Sequence, residues 1–154
     1  MRATPRNTGV IIADKSTVKP IKVGICGLGT VGGGTFNVLT RNAQEISRRV
    51  GRDILIEQVA TRAANPNVDT GKVKVTDSAM DVVNNPEVDV VVELIGGYTI
   101  AKEVVLGAIA NGKHVVTANK ALIAVHGKEI FAAAKAKGVM VRYEAAVAGG
   151  IPVI

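Results

Sequence analysis

Tryptophan is absent, and two Tyr with two Phe give the 154 residues an aromatic share of only 3%. Nucleic-acid binders concentrate basic side chains on one face and often add flat rings on which bases stack. The formal charge here is +6, but its densest basic group is Arg48-Arg49 with Arg52, which reads as a solvated helix end. No nucleic-acid partner is expected. Cysteine is nearly absent too: Cys26 stands alone, which excludes a disulfide scaffold and points to a reducing, cytoplasmic setting. No apolar run approaches the roughly 20 residues of a membrane helix. Near the start, Val10-Ile11-Ile12 is too short for the apolar centre of a secretion signal, so no membrane partner is expected. The pattern G-x-x-x-x-G-K-[ST] is missing as well, which disfavours an ATP-splitting P-loop.

What is present is a Val-, Ile- and Ala-rich chain, 47% hydrophobic with 17 glycines. That composition excludes disorder. At this length folding buries about 68% of the unfolded surface, enough for a core. From residue 21 onward short β-branched runs alternate with helical patterns. Strands are expected at 21–26, 54–60, 73–75, 88–95, 114–117 and 139–143. Helices are expected at 31–50, closed by Gly51, from Asp77 or Ser78 to just before Pro86, at 100–110, and at 128–137, closed by Gly138, with a separate helical turn after Lys120. Alternation of this kind, with nearly continuous Val/Ile strands, specifies an α/β fold: a doubly wound, mainly parallel sheet with helices on both faces. Residues 1–20 are weakly patterned and read as an extension, either a flexible arm or an edge hairpin. Residues 21–147 form the main domain. The apolar ending, with Pro152 placed like a first helical residue, makes 148–154 the expected start of a further domain.

Gly27-Leu28-Gly29-Thr30-Val31-Gly32 matches the G-x-G-x-x-G fingerprint, with a strand before it and a helix after it. Gly27 permits the tight turn, Gly29 lets the backbone approach a pyrophosphate, and Gly32 lets helix and strand pack closely. Free amides at the helix start, together with its dipole, favour phosphate charge. Gly33-Gly34 costs roughly 1 kcal/mol per residue against Ala, which suggests close packing or ligand approach there. The acidic residue that would hold a ribose 2′-hydroxyl is missing from the end of the second strand, which reads Val59-Ala60-Thr61-Arg62. Arg62 is therefore either a solvated loop cation or a partner for a 2′-phosphate, and NADP is allowed alongside NAD. Lys120 follows the 114–117 strand at the sheet's carboxyl edge, either as a surface cation or as a hydrogen-bond donor to a substrate or the nicotinamide ribose. His114 and His126 read as structural or exposed, and Cys26 as core. Glu144, with carbonyls freed by the glycines after it, could ligate a hard cation.

Together these segments resemble the N-terminal half of homoserine dehydrogenases. The likeness rests on the fingerprint, on Val90 to Gly97, on His114-Val115-Val116-Thr117-Ala118-Asn119-Lys120-Ala121-Leu122, and on Tyr143-Glu144-Ala145-Ala146-Val147-Ala148-Gly149-Gly150-Ile151-Pro152. The resemblance implies a Rossmann-type fold, NAD or NADP as cofactor, and hydride transfer between aspartate 4-semialdehyde and L-homoserine on the route to threonine and methionine. It places Leu28, Thr30 and Val31 against the pyrophosphate, Arg62 near the adenosine ribose, Ile95 beside the nicotinamide, and Lys120 facing the reacting centre. It also implies a monovalent cation such as Na+ on the Glu144 carboxylate with the carbonyls of Val147, Gly149 and Ile151. In that family the substrate half and the oligomer-forming sheet lie downstream of the position matching Ile154. The parent enzyme is thus expected to be a homo-oligomer acting on a small-molecule substrate, and this chain to bind cofactor yet turn over poorly or not at all. The rival reading is a dinucleotide-binding sensor domain without catalysis.

Overall fold

The computed structural model describes residues 18–147. The strands are β1 (Ile21–Cys26), β2 (Ile54–Ala60), β3 (Lys74–Thr76), β4 (Val90–Glu93), β5 (His114–Thr117) and β6 (Val141–Arg142). The helices are α1 (Thr30–Arg41), α2 (Ala43–Val50), α3 (Ala79–Asn84), α4 (Thr99–Ala110) and α5 (Lys120–Lys137), followed by a 3₁₀ turn over Glu144–Ala146. The expected extension 1–20 falls outside the described residues except for 18–20, and so does the expected further domain at 148–154.

All strand pairs are parallel, in the order β3-β2-β1-β4-β5-β6. This is the doubly wound order, in which the chain builds outward from β1 on one side and then from β4 on the other. Two apolar layers result, because successive strand residues face opposite sides. Val91 joins Cys26 and Val115 beneath Val82 and Val83 of α3, Val104 and Val105 of α4, and Ile130 of α5. Its neighbour Val92 joins Val23, Ile25 and Val59 on the other face, under Phe36 of α1. One methylene lost from such a layer costs about 1 kcal/mol.

Three expectations are corrected. The helix expected over 31–50 is two helices, parted at Asn42, whose φ of −103° and ψ of 16° leave the α region. Thr35 and Thr40 hydroxyls donate back to the Val31 and Phe36 carbonyls along α1, a pattern that favours bending. The turn after Lys120 and the helix expected at 128–137 are one continuous α5. Its Gly127 is buried without breaking it, and its start is capped by Asn119, whose side chain accepts from the Leu122 amide. Strands β3, β4 and β6 are shifted or shorter than expected, and Ser78, although at the N-cap of α3, makes no side-chain cap there. Among the described residues no helix is long and apolar enough to cross a membrane.

Candidate functional site

The strand order reverses between β1 and β4, and in open α/β sheets the crevice outside the carboxyl ends at that point receives ligands. A cleft of about 840 Å³ opens there, lined on one wall by Gly27, Leu28, Gly29 and Thr30, on another by Arg62 and Asn65, and on a third by Leu94 and Ile95. That is the size range of pockets for cofactors and drug-sized ligands.

The three fingerprint glycines have separate reasons to lack a side chain. Gly27 has φ +98°, and a Cβ there would lie 2.6 Å from the Leu94 carbonyl oxygen. A Cβ on Gly32 would overlap the carbonyl oxygen of Gly27, so α1 and the end of β1 touch backbone to backbone. Gly29 meets nothing within 4 Å: the protein leaves that space free on the side of the cleft. Gly29 is the N-cap of α1, no side chain caps the first turn, and no acidic residue lies in it. Its amides and the helix dipole are therefore available to an anion. A dinucleotide's pyrophosphate fits this chemistry. Gly33 supplies the close packing expected of it, since a Cβ there would lie 2.6 Å from Asn65 Nδ2 and 2.9 Å from Val68 Cγ2; Gly34 has no such neighbour.

Six of the expected cofactor residues line the one cleft: Gly27, Leu28, Gly29, Thr30, Arg62 and Ile95. Gly32 is buried behind the turn, and Val31 points outward, 57% exposed. Arg62 is exposed at the mouth, two residues past β2, with no carboxylate at that strand end to compete for its guanidinium. Lys120, the first residue of α5, is exposed at the carboxyl edge but does not line this cleft. Glu144 is exposed at the start of the 3₁₀ turn, 3.9 Å from an Arg142 nitrogen, and Val147 is also exposed. Gly149 and Ile151 lie outside the described residues. Among the described residues, no three His, Cys, Asp or Glu side chains gather as a metal site.

The histidines are tied down. His114 Nδ1 accepts from the Met140 amide at 3.0 Å, and the His126 ring leans on Tyr98 with Glu129 3.7 Å away. Cys26 is fully buried at the end of β1, where burial, aided by the nearby Glu93 carboxylate, pushes its thiol up to about 12. It is a packing residue.

Two polar arrangements were missed by reading the sequence. At the end of β4, Glu93 is fully buried; its carboxylate accepts from the Thr117 hydroxyl at 2.6 Å and from the Ile95 amide at 2.8 Å. Thr117 in turn accepts from the Asn119 amide, and the Asn119 side chain donates to the Gly97 carbonyl while capping α5. This network fixes the Ile95–Gly97 segment against the start of the helix that carries Lys120. The signal was a carboxylate inside the apolar run Val90-Val91-Val92-Glu93-Leu94, where a charge must find donors. The second is Asn65, which donates to the Leu28 carbonyl at 2.8 Å and to that of Gly29 at 3.3 Å. No local pattern announces contacts of that range.

Known proteins carry the same pattern. The family model described as the NAD-binding domain of homoserine dehydrogenase matches residues 27–144. The homoserine dehydrogenase of Pseudomonas aeruginosa is 72% identical over 137 residues, covering 89% of this chain and 32% of that protein. That of Methylobacillus glycogenes is 62% identical over 70% of this chain and 26% of that protein. The crystal structure of a homoserine dehydrogenase from Thiobacillus denitrificans superposes with a TM-score of 0.81 at 61% identity, covering 88% of this chain and 32% of that one. The chain thus spans about a third of the length of these relatives. Glycine turn, reversed strand order and matched residues agree: the chain belongs to the homoserine dehydrogenase family, through its NAD-binding domain.

Proposed function

We propose that the cleft at the β1–α1 turn binds the dinucleotide of NADP or NAD, and that the chain does so as the nucleotide-binding part of a homoserine dehydrogenase, the enzyme of the reversible oxidation of L-homoserine to aspartate 4-semialdehyde. The single observation that carries the reading is the open space at Gly29 beside uncapped first-turn amides. Bound there, the cofactor's nicotinamide supplies or accepts the hydride. The chain's own residues do the holding: the Gly29 and Thr30 amides meet the pyrophosphate, Leu28 lies beside it, Gly27 and Gly32 keep the turn tight, and Ile95 covers the nicotinamide side.

Arg62 favours a 2′-phosphate, because it stands where an NAD-selective site would place a carboxylate. Lys120 is the residue we assign to the substrate side, a donor to the reacting oxygen held at a helix start that the Glu93 network fixes. For the cation we assign the Glu144 carboxylate, which an Arg142 nitrogen approaches to 3.9 Å, with the carbonyls of Val147, Gly149 and Ile151. The setting we assign is the cytoplasm, where Cys26 stays a thiol.

Calorimetric titration of the chain with NAD and with NADP tests the reading. Binding of either nucleotide is expected, with NADP tighter in the wild type and the difference lost in Arg62→Ala. A chain that takes up neither nucleotide would overturn the cofactor assignment, and a nucleotide preference unmoved by Arg62→Ala would remove the 2′-phosphate assignment alone.

A further inference from the structure

We propose that Asn65 is a positioning residue of the cofactor site: its carboxamide sets the two peptide planes whose amides face the pyrophosphate, and ties them to the loop that carries Arg62. The inference rests on the cofactor reading above.

The loop is built for the purpose. Residues 65–68 form a β-turn with Pro66 at its second position and the Val68 amide donating to the Asn65 carbonyl at 3.0 Å. Asn65 Oδ1 accepts from the Asn67 amide at 3.0 Å, an Asx turn that commits the carboxamide oxygen inside the loop and leaves the nitrogen facing outward. That nitrogen has two hydrogens to donate, and it stands within reach of two carbonyls, Leu28 and Gly29.

Those carbonyls belong to the peptides Leu28–Gly29 and Gly29–Thr30. A trans peptide is planar, with its C=O and N–H pointing in opposite directions. Holding both oxygens toward Asn65 therefore turns the Gly29 and Thr30 N–H groups away from it, and the Gly29 oxygen is further committed to the Gly33 amide at 2.7 Å. The amides of the phosphate turn are aimed by a side chain that need not touch the ligand.

The contact surface on α1 is shaped to match. Gly33 provides the gap into which Asn65 and Val68 pack, and Asn37, one helical turn on, donates from its side chain to the Asn67 carbonyl at 3.0 Å. A glycine that is costly inside a helix thus has a structural reason, and Arg62 sits three residues before the clamp, on the same cleft.

Two substitutions separate aiming from simple loop support. Asn65→Ala removes the donor and the Asx turn, whereas Asn65→Asp keeps an oxygen for the Asn67 amide and replaces the donor with a second, charged oxygen facing the Leu28 and Gly29 carbonyls. Calorimetry with NAD is expected to show both variants weakened by about tenfold, the size of one net hydrogen bond, at unchanged melting temperature. Adenosine, which has no phosphate, should bind both variants within about twofold of wild type when followed by NMR chemical shift. NAD affinity equal to wild type in both variants, or an equal loss for NAD and adenosine, would overturn the proposal. A wild-type chain that binds no NAD would overturn it together with the cofactor reading. If Asn65→Ala weakens NAD while Arg62→Ala leaves the nucleotide preference unmoved, only the 2′-phosphate assignment falls.

Discussion

At the β1–α1 turn the carboxyl edge is built by leaving side chains out, whereas at the ends of β4 and β5 it is built by putting polar side chains in. Gly27, Gly29 and Gly32 let backbone meet backbone or leave open space. Glu93, Thr117 and Asn119 form a chain of buried hydrogen bonds around the Ile95–Gly97 segment. The first arrangement is sensitive to added volume, and the second to lost polarity. A ligand that lies across both meets amides on one side and a rigid, apolar wall on the other.

The sharpest way to break the contrast is Gly32→Ala, which adds one methyl group against the Gly27 carbonyl. It is expected to cost about 3 kcal/mol and to abolish nucleotide binding, because α1 must back away from the strand. Chemical denaturation with and without NAD checks it; a stable variant that still binds would show that the turn tolerates volume. Next comes Glu93→Gln, which keeps the shape but cannot accept from both the Thr117 hydroxyl and the Ile95 amide. About 2 kcal/mol of stability should be lost, and Thr117→Val should cost at least as much, because it leaves the buried Glu93 oxygen without its donor and the Asn119 amide without its acceptor. Equal stability of the glutamine variant and wild type would mean the network is decoration.

Gly29→Ala should separate binding from folding. Its φ of −68° suits alanine and nothing lies within 4 Å, so the melting temperature should hold. NAD affinity should nevertheless fall by at least about tenfold, or about 1.4 kcal/mol, because the methyl occupies the ligand's space. An alanine variant that binds as wild type does would move the pyrophosphate elsewhere.

The smallest effect concerns acid. Glu45, Glu87 and Glu129 sit below the ordinary glutamate value through hydrogen bonds from Arg48 and Arg49, from Lys22, and from Lys102. A carboxyl with a lowered folded-state pKa binds protons more readily when unfolded, so its stabilisation is present at neutral pH and lost as pH falls below about 4.5. All three are solvent-exposed and screened, so the melting temperature should decline only shallowly from this source. A rise in stability on acidification through that range would contradict the sign.

The same contrast explains what could be read in advance. Strands β1, β2 and β5 fall where the β-branched runs placed them, and the glycine turn was legible because its constraints are local and each leaves a residue type behind. The break at Asn42 was not, since no proline or glycine marks it and the helical period runs through. The unbroken α5 was hidden by Gly127, where an added Cβ would lie 3.4 Å from the Phe131 ring and which does not interrupt the helix. Glu93 announced a problem without its full solution: the Ile95 amide is close by, but the Thr117 hydroxyl comes from the next strand, across the sheet. Asn65 announced nothing, because its partners lie 36 and 37 residues away.

Among the described residues every neighbouring pair of strands runs in the same direction, so no hairpin there starts the sheet. The central strand that ends in the glycine turn finds its two partners at Ile54–Ala60 and Val90–Glu93, both synthesised after it. Assembly is therefore governed by distant pairings that must wait for intervening coils to wind back, a route that is intrinsically slow. During translation the glycine turn is made before the strands that hold it in place, and a ligand that binds only the folded chain would stabilise only the finished sheet.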